Sequence, residues 1–169
     1  TSFYKENPQD FYQTAAPSAR DLEEWHALRI AYQKGIPVIG VCRGAQMLCA
    51  FAGGKLAQHI NGHQSGIHPI ATYDGKKFEQ VPSCHHQMMY PYETEHKVLA
   101  TVVNNHSNVY KGLKEDEADM FVKHSKLEPE VVFFPKIKGL GIQSHPEWAE
   151  HSDFVKWCNE KIVQYLYSK

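Results

Sequence analysis

Among the common side chains, a cysteine can attack a carbonyl carbon near neutral pH, provided its surroundings favour loss of the thiol proton. Cys42 lies in Gly40-Val41-Cys42-Arg43-Gly44. A nucleophile on a sharp strand-to-helix turn needs small neighbours, because the backbone there is strained and crowded. The pentapeptide is the cysteine version of the Gly-x-Ser-x-Gly nucleophile elbow. A helix starting at Gly44 would aim its positive end at the sulfur and favour thiolate over thiol. The Arg43 amide would then be one donor to an oxyanion. A buried cysteine in a glycine-rich turn with no chemical role accounts for these five residues equally well.

A second segment separates the two readings. Gly141-Ile142-Gln143-Ser144-His145-Pro146-Glu147-Trp148 places a histidine at the end of an apolar run, with a carboxylate two residues on. A thiol nucleophile needs an imidazole to take its proton and later protonate the leaving nitrogen. The imidazole in turn needs an anion to fix its tautomer and support its charged form. Pro146 sets the turn that lets Glu147 fold back toward His145. A loop histidine beside a surface glutamate is common by itself. Both segments in one chain, in the order Cys, His, Glu, favour catalysis.

The elements that must position these residues are visible in the pattern of apolar positions. Thr1 to Pro17 lack periodicity and are expected to be extended and at the surface. Ser18-x-x-Asp21 is a capping-box start with Asp in place of Glu. Leu22, Trp25, Leu28 and Tyr32 predict one apolar helix face, closed by Gly35 and Pro37. Pro37 to Val41 predicts a strand buried on both faces, and Gly44 to Ala52 a buried helix before Gly53-Gly54. Helix, strand, tight turn and helix make the heart of an α/β unit with a parallel sheet. Short β-prone pieces follow near Ile70–Tyr73, Val98–Val103, Met120–Lys123 and Val131–Phe134. Lys136 to Gly139 predicts a hairpin joining the last of these to Leu140–Gln143. A final helix starts near Ser152, with Phe154, Trp157, Ile162, Tyr165 and Leu166 as candidate buried residues. No repeat or linker divides residues 1–169, so one domain is expected.

Net charge is −1 with 22% charged residues, which leaves no electrostatic reason to expect nucleic acid or a membrane surface as partner. The longest apolar runs are strand-sized, far short of a membrane span. Cys42, Cys49, Cys84 and Cys158 are widely spaced, and a chain of 169 residues does not need disulfide staples. A reducing, cytoplasmic setting is therefore expected. Cys49 and Cys158 fall among apolar residues on helical stretches and are expected in the core.

Gly40-Val41-Cys42-Arg43-Gly44-Ala45-Gln46 and Gly141 to Trp148 together closely resemble the class I glutamine amidotransferase-like family. Arg43 after the cysteine and Trp148 after His-Pro-Glu resemble its γ-glutamyl hydrolase branch, whose best-known member acts on γ-glutamyl-γ-aminobutyrate. Ser83-Cys84-His85-His86-Gln87 resembles the segment that lines the glutamyl pocket in that family. The resemblance implies a three-layer, flavodoxin-like α/β fold, with a mostly parallel central sheet and a small antiparallel portion. It makes Cys42 the nucleophile, His145 the base and acid, and Glu147 the orienting carboxylate. It places Gln46 against the glutamyl group and His85, His86 and Gln87 along a substrate-side strand. No cofactor is implied. No metal is expected at His85-His86 either, because neighbours on a strand point to opposite faces and no third ligand is suitably spaced. His59, His63 and His68 are expected to be surface or polar-contact residues.

The family fold opens with a strand, a helix and a second strand before a glycine-rich loop that supplies the other oxyanion amide. The resemblance implies that this chain starts about fifty residues later, the length of such a unit. Two readings follow: a piece of a longer or cleaved protein, with the missing N-terminal segment elsewhere, or a naturally shortened relative with exposed sheet edges and half an oxyanion hole. The first is favoured, since losing one donor costs about 10²–10³ in rate. The implied chemistry is hydrolysis of a γ-glutamyl amide through a Cys42 thioester. Glutamine, with ammonia passed to a synthetase partner, and a γ-glutamyl amine or peptide, degraded without one, are both open as substrates. Arg43 and Trp148 lean toward the second. The alternative is a catalytically impaired binding or assembly module that keeps the fold.

Overall fold

Serine side chains cap the first and last α-helices. In the computed structural model, which describes residues 17–64, 66–123 and 126–168, Ser18 caps the first helix. Its hydroxyl accepts from the Asp21 amide at 3.1 Å, and the Asp21 carboxylate accepts from the Ser18 amide at 3.0 Å. Helix α1 (Ala19–Gln33) follows. Strand β1 (Val38–Val41) runs directly into α2 (Arg43–Phe51), with Cys42 as the only residue between them. The middle of the chain is β-rich: β2 (Lys55–Ala57), β3 (His59–Ile60), β4 (Ile67–Thr72), β5 (Lys77–Pro82), β6 (Met88–Tyr90), β7 (Lys97–Val102) and β8 (Tyr110–Lys111). Then come α3 (Glu115–Val122), β9 (Pro129–Phe134), β10 (Gly139–Ile142) and α4 (Asp153–Ile162). The expectation for Thr1 to Pro17 lies outside the described residues except at Pro17.

The largest sheet has the order β1-β10-β9-β7-β4-β5. Its β1–β10 pairing is parallel, with Val41 opposite Ile142, and the remaining pairings are antiparallel. Among the described strands the antiparallel share is thus larger than the sequence reading allotted it. The reason is local: β4–β5 and β9–β10 are joined by connections too short for a crossover. In the β9–β10 turn, Lys138 adopts φ 46° after a single 3-10 turn at Pro135–Ile137.

Side chains alternate across β9 and fill two layers. Val131 faces one cluster, with Leu140, Ile142 and the α4 residues Phe154 and Trp157. Val132 and Phe134 face the other, with Ala45, Leu48 and Cys49 of α2. Helices therefore cover both faces of the sheet, which is the three-layer α/β arrangement. A third cluster joins Phe121 of α3 to Ala57, Ile60, Met88, Tyr90 and Tyr110. Cys49 and Cys158 are buried, as expected.

Three expectations are corrected. Met120 to Lys123 is not strand; Met120–Val122 close α3 and Lys123 caps it. The acidic run Glu115-Asp116-Glu117 suits a helix N-terminus, and the Glu117 carboxylate accepts from the Lys114 amide at 2.9 Å. Strand β1 is not buried on both faces: Ile39 is 41% exposed. The predicted face of α1 is only partly covered. Trp25 meets Phe51 edge-on at 5.1 Å, whereas Leu22 and Tyr32 are exposed.

Candidate active site

Cys42 is held in a backbone conformation that few side chains adopt, φ 50° and ψ −108°. Both neighbours fix it there. Its amide donates to the Ile142 carbonyl at 2.7 Å, which extends the β1–β10 pairing by one residue, and its carbonyl accepts the Gln46 amide at 3.2 Å, which starts α2. Gly40 is what permits the turn. A Cβ there would sit 2.4 Å from the Gly44 carbonyl carbon and oxygen and 2.8 Å from the Ala45 nitrogen, all of them backbone. Gly40→Ala is therefore expected to push α2 off β1, lower stability by about 1–3 kcal/mol, and displace Cys42. Thermal melting checks the first effect, and the alkylation rate of Cys42 checks the second; unchanged melting and alkylation would contradict this account.

The parallel pairing of β1 with β10 brings the second segment alongside. Cys42 follows β1 by one residue and His145 follows β10 by three, so both stand at carboxyl ends of adjacent strands. This is the edge where open α/β sheets hold their ligands. The His145 amide donates to the Pro82 carbonyl at 3.0 Å. Pro146 opens a 3-10 turn over Pro146–Trp148, which folds Glu147 back. His145 Nδ1 and Glu147 Oε1 lie 2.7 Å apart. A carboxylate only accepts, so Nδ1 carries the proton and Nε2 presents its lone pair. Trp148 stacks on the imidazole with centroids 3.8 Å apart and planes within 4°. The ring is thus held along its edge and across its face.

Cys42 Sγ has the Cys84 carbonyl oxygen 3.9 Å away as its hydrogen-bond acceptor; among the described contacts it forms no hydrogen bond to His145. The thiol pKa is also raised, against the sequence expectation of a favoured thiolate. Burial is the largest cause, opposed by the Arg43 amide at the start of α2 and reinforced by Cys84, Glu147 and Glu130. The helix N-terminus does act on the sulfur, but desolvation outweighs it.

A cavity of about 130 Å³ is lined by Cys42, Arg43, Gln46, Cys84, His85, His86 and Gln87. The sequence-predicted residues on the pocket side therefore converge, whereas Glu147 and Trp148 line a neighbouring open cleft with Pro82 and Gln80. The Arg43 guanidinium points away from the chemistry. It bonds Asp21 and Glu24 and pins α1 to the elbow. Gln46 is buried and donates to the Gln87 carbonyl at 2.9 Å, tying α2 to the opposite wall. Gln87 in turn donates its side-chain amide to Gln58 at 2.7 Å.

Residues 83–87 form an irregular segment before β6 rather than a strand. The alternation argument against shared ligands at His85 and His86 therefore does not apply. His63 and His68 are polar-contact residues rather than surface ones: both are buried, against Glu128 and Glu130 respectively. The sequence held one signal for this. Glu128-Pro129-Glu130 puts two carboxylates at the head of the apolar run Val-Val-Phe-Phe, and a carboxylate buried in such a run must find partners.

Solved structures share this fold. The chain superimposes on a glutamine amidotransferase from Thermotoga maritima with a TM-score of 0.55 at 18% identity, covering 92% of this chain and 65% of that one. It superimposes on PurLQS from Thermotoga maritima with a TM-score of 0.58 at 17% identity, covering 84% and 68%. The fold is that of the class I glutamine amidotransferases, flavodoxin-like α/β. Residues 1–122 match Peptidase C26, and the chain belongs to that family. His145 and Glu147 lie beyond the matched residues. A Mycobacterium tuberculosis protein with a provisional glutamine amidotransferase name is 33% identical over 111 residues, 52% of this chain and 36% of its own length. The chloroplastic carbamoyl phosphate synthase small chain of Oryza sativa subsp. japonica is 27% identical over 112 residues, 66% of this chain and 21% of its own. The chain thus spans well under half the length of either relative.

Proposed function

We propose that this chain carries the cysteine-dependent site of a γ-glutamyl amide hydrolase, acting through a thioester on Cys42. The observation that supports it most is the parallel pairing of β1 with β10, which brings a strained cysteine and an oriented His–Glu pair to the ends of adjacent strands. Cys42 Sγ attacks the γ-carbonyl carbon as its proton passes to His145 Nε2. The Arg43 amide donates to the developing oxyanion. Collapse breaks the C–N bond, and His145 returns the proton to the leaving ammonia or amine. Water, deprotonated by His145, then attacks the thioester and releases the γ-carboxylate and the thiol.

This route suits a thiol that burial keeps protonated, because His145 removes the proton during attack rather than beforehand. It requires Sγ and Nε2 to approach once substrate is bound, and catalytic hydrogen bonds commonly tighten at that stage. Glu147 holds the ring proton on Nδ1, which aims Nε2 at the thiol as the base and supports the imidazolium once it forms. Gln46, His85, His86 and Gln87 form the wall against which the glutamyl group is held. The carbamoyl phosphate synthase small chains and PurLQS among the similar proteins make a synthetase partner a reasonable destination for ammonia. The Arg43 and Trp148 positions of the two motifs instead lean toward an amine as leaving group. We favour the γ-glutamyl amine.

Assaying the full-length protein with glutamine and with γ-glutamyl amines decides between them. Glutamate release from γ-glutamyl amines without a partner, at a kcat/KM at least about 10-fold above glutamine, is the expected result. Glutaminase activity that needs an added synthetase would replace the amine reading with the amidotransferase one. No glutamate release under either condition would defeat the proposal.

A further inference from the structure

Beneath the wall of the candidate pocket lies a buried group of histidines and glutamates, of which only His85 also lines the pocket. We infer that His63, His68 and Glu130, with His85 beside them, form a binding site for one divalent cation of the zinc type.

One ligand atom from each of His63, His68 and Glu130 falls within 4.8 Å of the others. His68 Nε2 is 3.1 Å from Glu130 Oε1, and His85 Nε2 is 3.8 Å from the same oxygen. A tetrahedral zinc ion with bonds near 2.0 Å sets neighbouring ligand atoms roughly 3.3 Å apart. The two distances bracket that spacing. Both contacts are at ion-pair distance without hydrogen-bond alignment, and among the described residues His63 Nδ1, His68 Nε2, His85 Nε2 and Glu130 Oε2 are buried without a hydrogen-bond partner. Such orphaned atoms are costly, and several on adjacent side chains call for a shared partner.

The outer groups orient the inner ones. Glu128 accepts from His63 Nε2 at 3.0 Å, so that nitrogen carries the proton and Nδ1 keeps its lone pair. The same carboxylate accepts the amides of His106 and Ser107 and the Tyr110 hydroxyl, so it is fully engaged and stands one step back from any ion. His85 Nδ1 donates to the Gln87 carbonyl at 2.9 Å, which leaves Nε2 as the acceptor nitrogen. A carboxylate or carbonyl on the far nitrogen is the arrangement that fixes metal-binding histidines. Charge points the same way. Glu128 and Glu130 bring two negative charges into a region where the three histidines and both glutamates are each at most 4% exposed. A dication balances them, and two imidazole nitrogens with one carboxylate oxygen, His85 Nε2 standing 3.8 Å from that oxygen as a further donor, suit zinc better than magnesium or calcium. The ion would tie the loop at His63, β4, the 83–87 segment and β9 into one unit. It touches no atom that reacts at Cys42.

The test uses full-length protein, purified without a polyhistidine tag or chelator. Elemental analysis should find about one zinc per chain, and X-ray absorption at the zinc edge should show nitrogen and oxygen ligands only. Removing the metal with a chelator should lower the melting temperature, and zinc should restore it. Glu128→Gln should weaken zinc binding about 10–100-fold by loosening His63, and His63→Asn should abolish stoichiometric binding. Wild-type protein that stays folded and binds zinc no tighter than His63→Asn would overturn the inference. So would sulfur in the zinc shell, which would place the metal at a cysteine. Because the absorption measurement is made on wild-type protein, the inference remains falsifiable even if His63→Asn fails to fold. Activity on γ-glutamyl amides does not enter these readouts, so failure here leaves the hydrolase proposal standing.

Discussion

Cys42→Ser is expected to lower kcat against a γ-glutamyl amide by about 10³-fold or more, with the melting temperature unchanged. The substitution alters one atom in a half-buried position at the wall of a small cavity. It creates no void and leaves the amide and carbonyl bonds of residue 42 to Ile142 and Gln46 in place. What it removes is sulfur's nucleophilicity. An alcohol is far harder to deprotonate than a thiol, and the structure does little to help. Burial and the Glu147 and Glu130 carboxylates already raise the thiol pKa, and they would oppose an alkoxide more strongly. Stopped-flow turnover and intact-mass detection of a glutamyl adduct are the measurements. The wild-type enzyme should show the adduct on rapid quenching and the variant should not. Normal turnover by the variant would end the case for a thioester.

The same features explain why part of this site was legible in the sequence and part was not. The elbow was legible because its requirement is short-range. Gly40 must be glycine to clear the Gly44 and Ala45 backbone, and that constraint is written within five residues. His145 and Glu147 were legible for the same reason, since one turn of 3-10 helix joins them. The sign of the thiol shift was not. It is set by burial under the 83–87 segment and by carboxylates far away in sequence, whereas the helix end that lowers it is adjacent. The Arg43 side chain was hidden likewise, because its partners Asp21 and Glu24 are on another helix.

Distance in sequence also hid the histidine cluster. His63, His68, His85, Glu128 and Glu130 share no spacing that marks a ligand set; only the antiparallel path β4–β7–β9 brings β4 and β9 near one another. In the fold, helices with caps were found where the caps were, and strands were found where apolar runs were long. Strand β5 was missed because its burial is confined to Val81, with Lys77, Glu79 and Gln80 at the surface. Strand β1 was over-read as fully buried because Val-Ile-Gly-Val has the composition of a central strand, although composition cannot say what pairs beside it.

Trp157→Ala tests whether the site depends on the layer behind it, and it is expected to cost about 3–5 kcal/mol of stability. Trp157 is among the largest fully buried side chains, packed with Phe78 and Phe154 between α4 and the β4–β5 hairpin. Its indole N–H donates to both Asp74 carboxylate oxygens at 3.1 Å, and Lys161 pairs with the same group at 2.7 Å. Truncation leaves a cavity and removes a donor from a carboxylate that stays charged. Hydrogen bonds from Lys161, Thr72 and Trp157 outweigh burial and hold Asp74 well below the usual carboxylate range. A group depressed on folding contributes stability above its unfolded pKa, near 3.9, and that contribution is lost as pH falls below it. The Trp157→Ala protein should therefore lose less stability on acidification through that window than wild type. A domain of ordinary stability, about 5–15 kcal/mol, can survive the loss. Activity per folded molecule should then be unchanged at low temperature, because Pro82 and the β10 strand end still hold His145 and Cys42. Chemical denaturation at neutral and acidic pH measures the first effect, and active-site titration before the assay measures the second. A stable variant with impaired chemistry would show that α4 positions the site directly, rather than only holding the sheet that carries it.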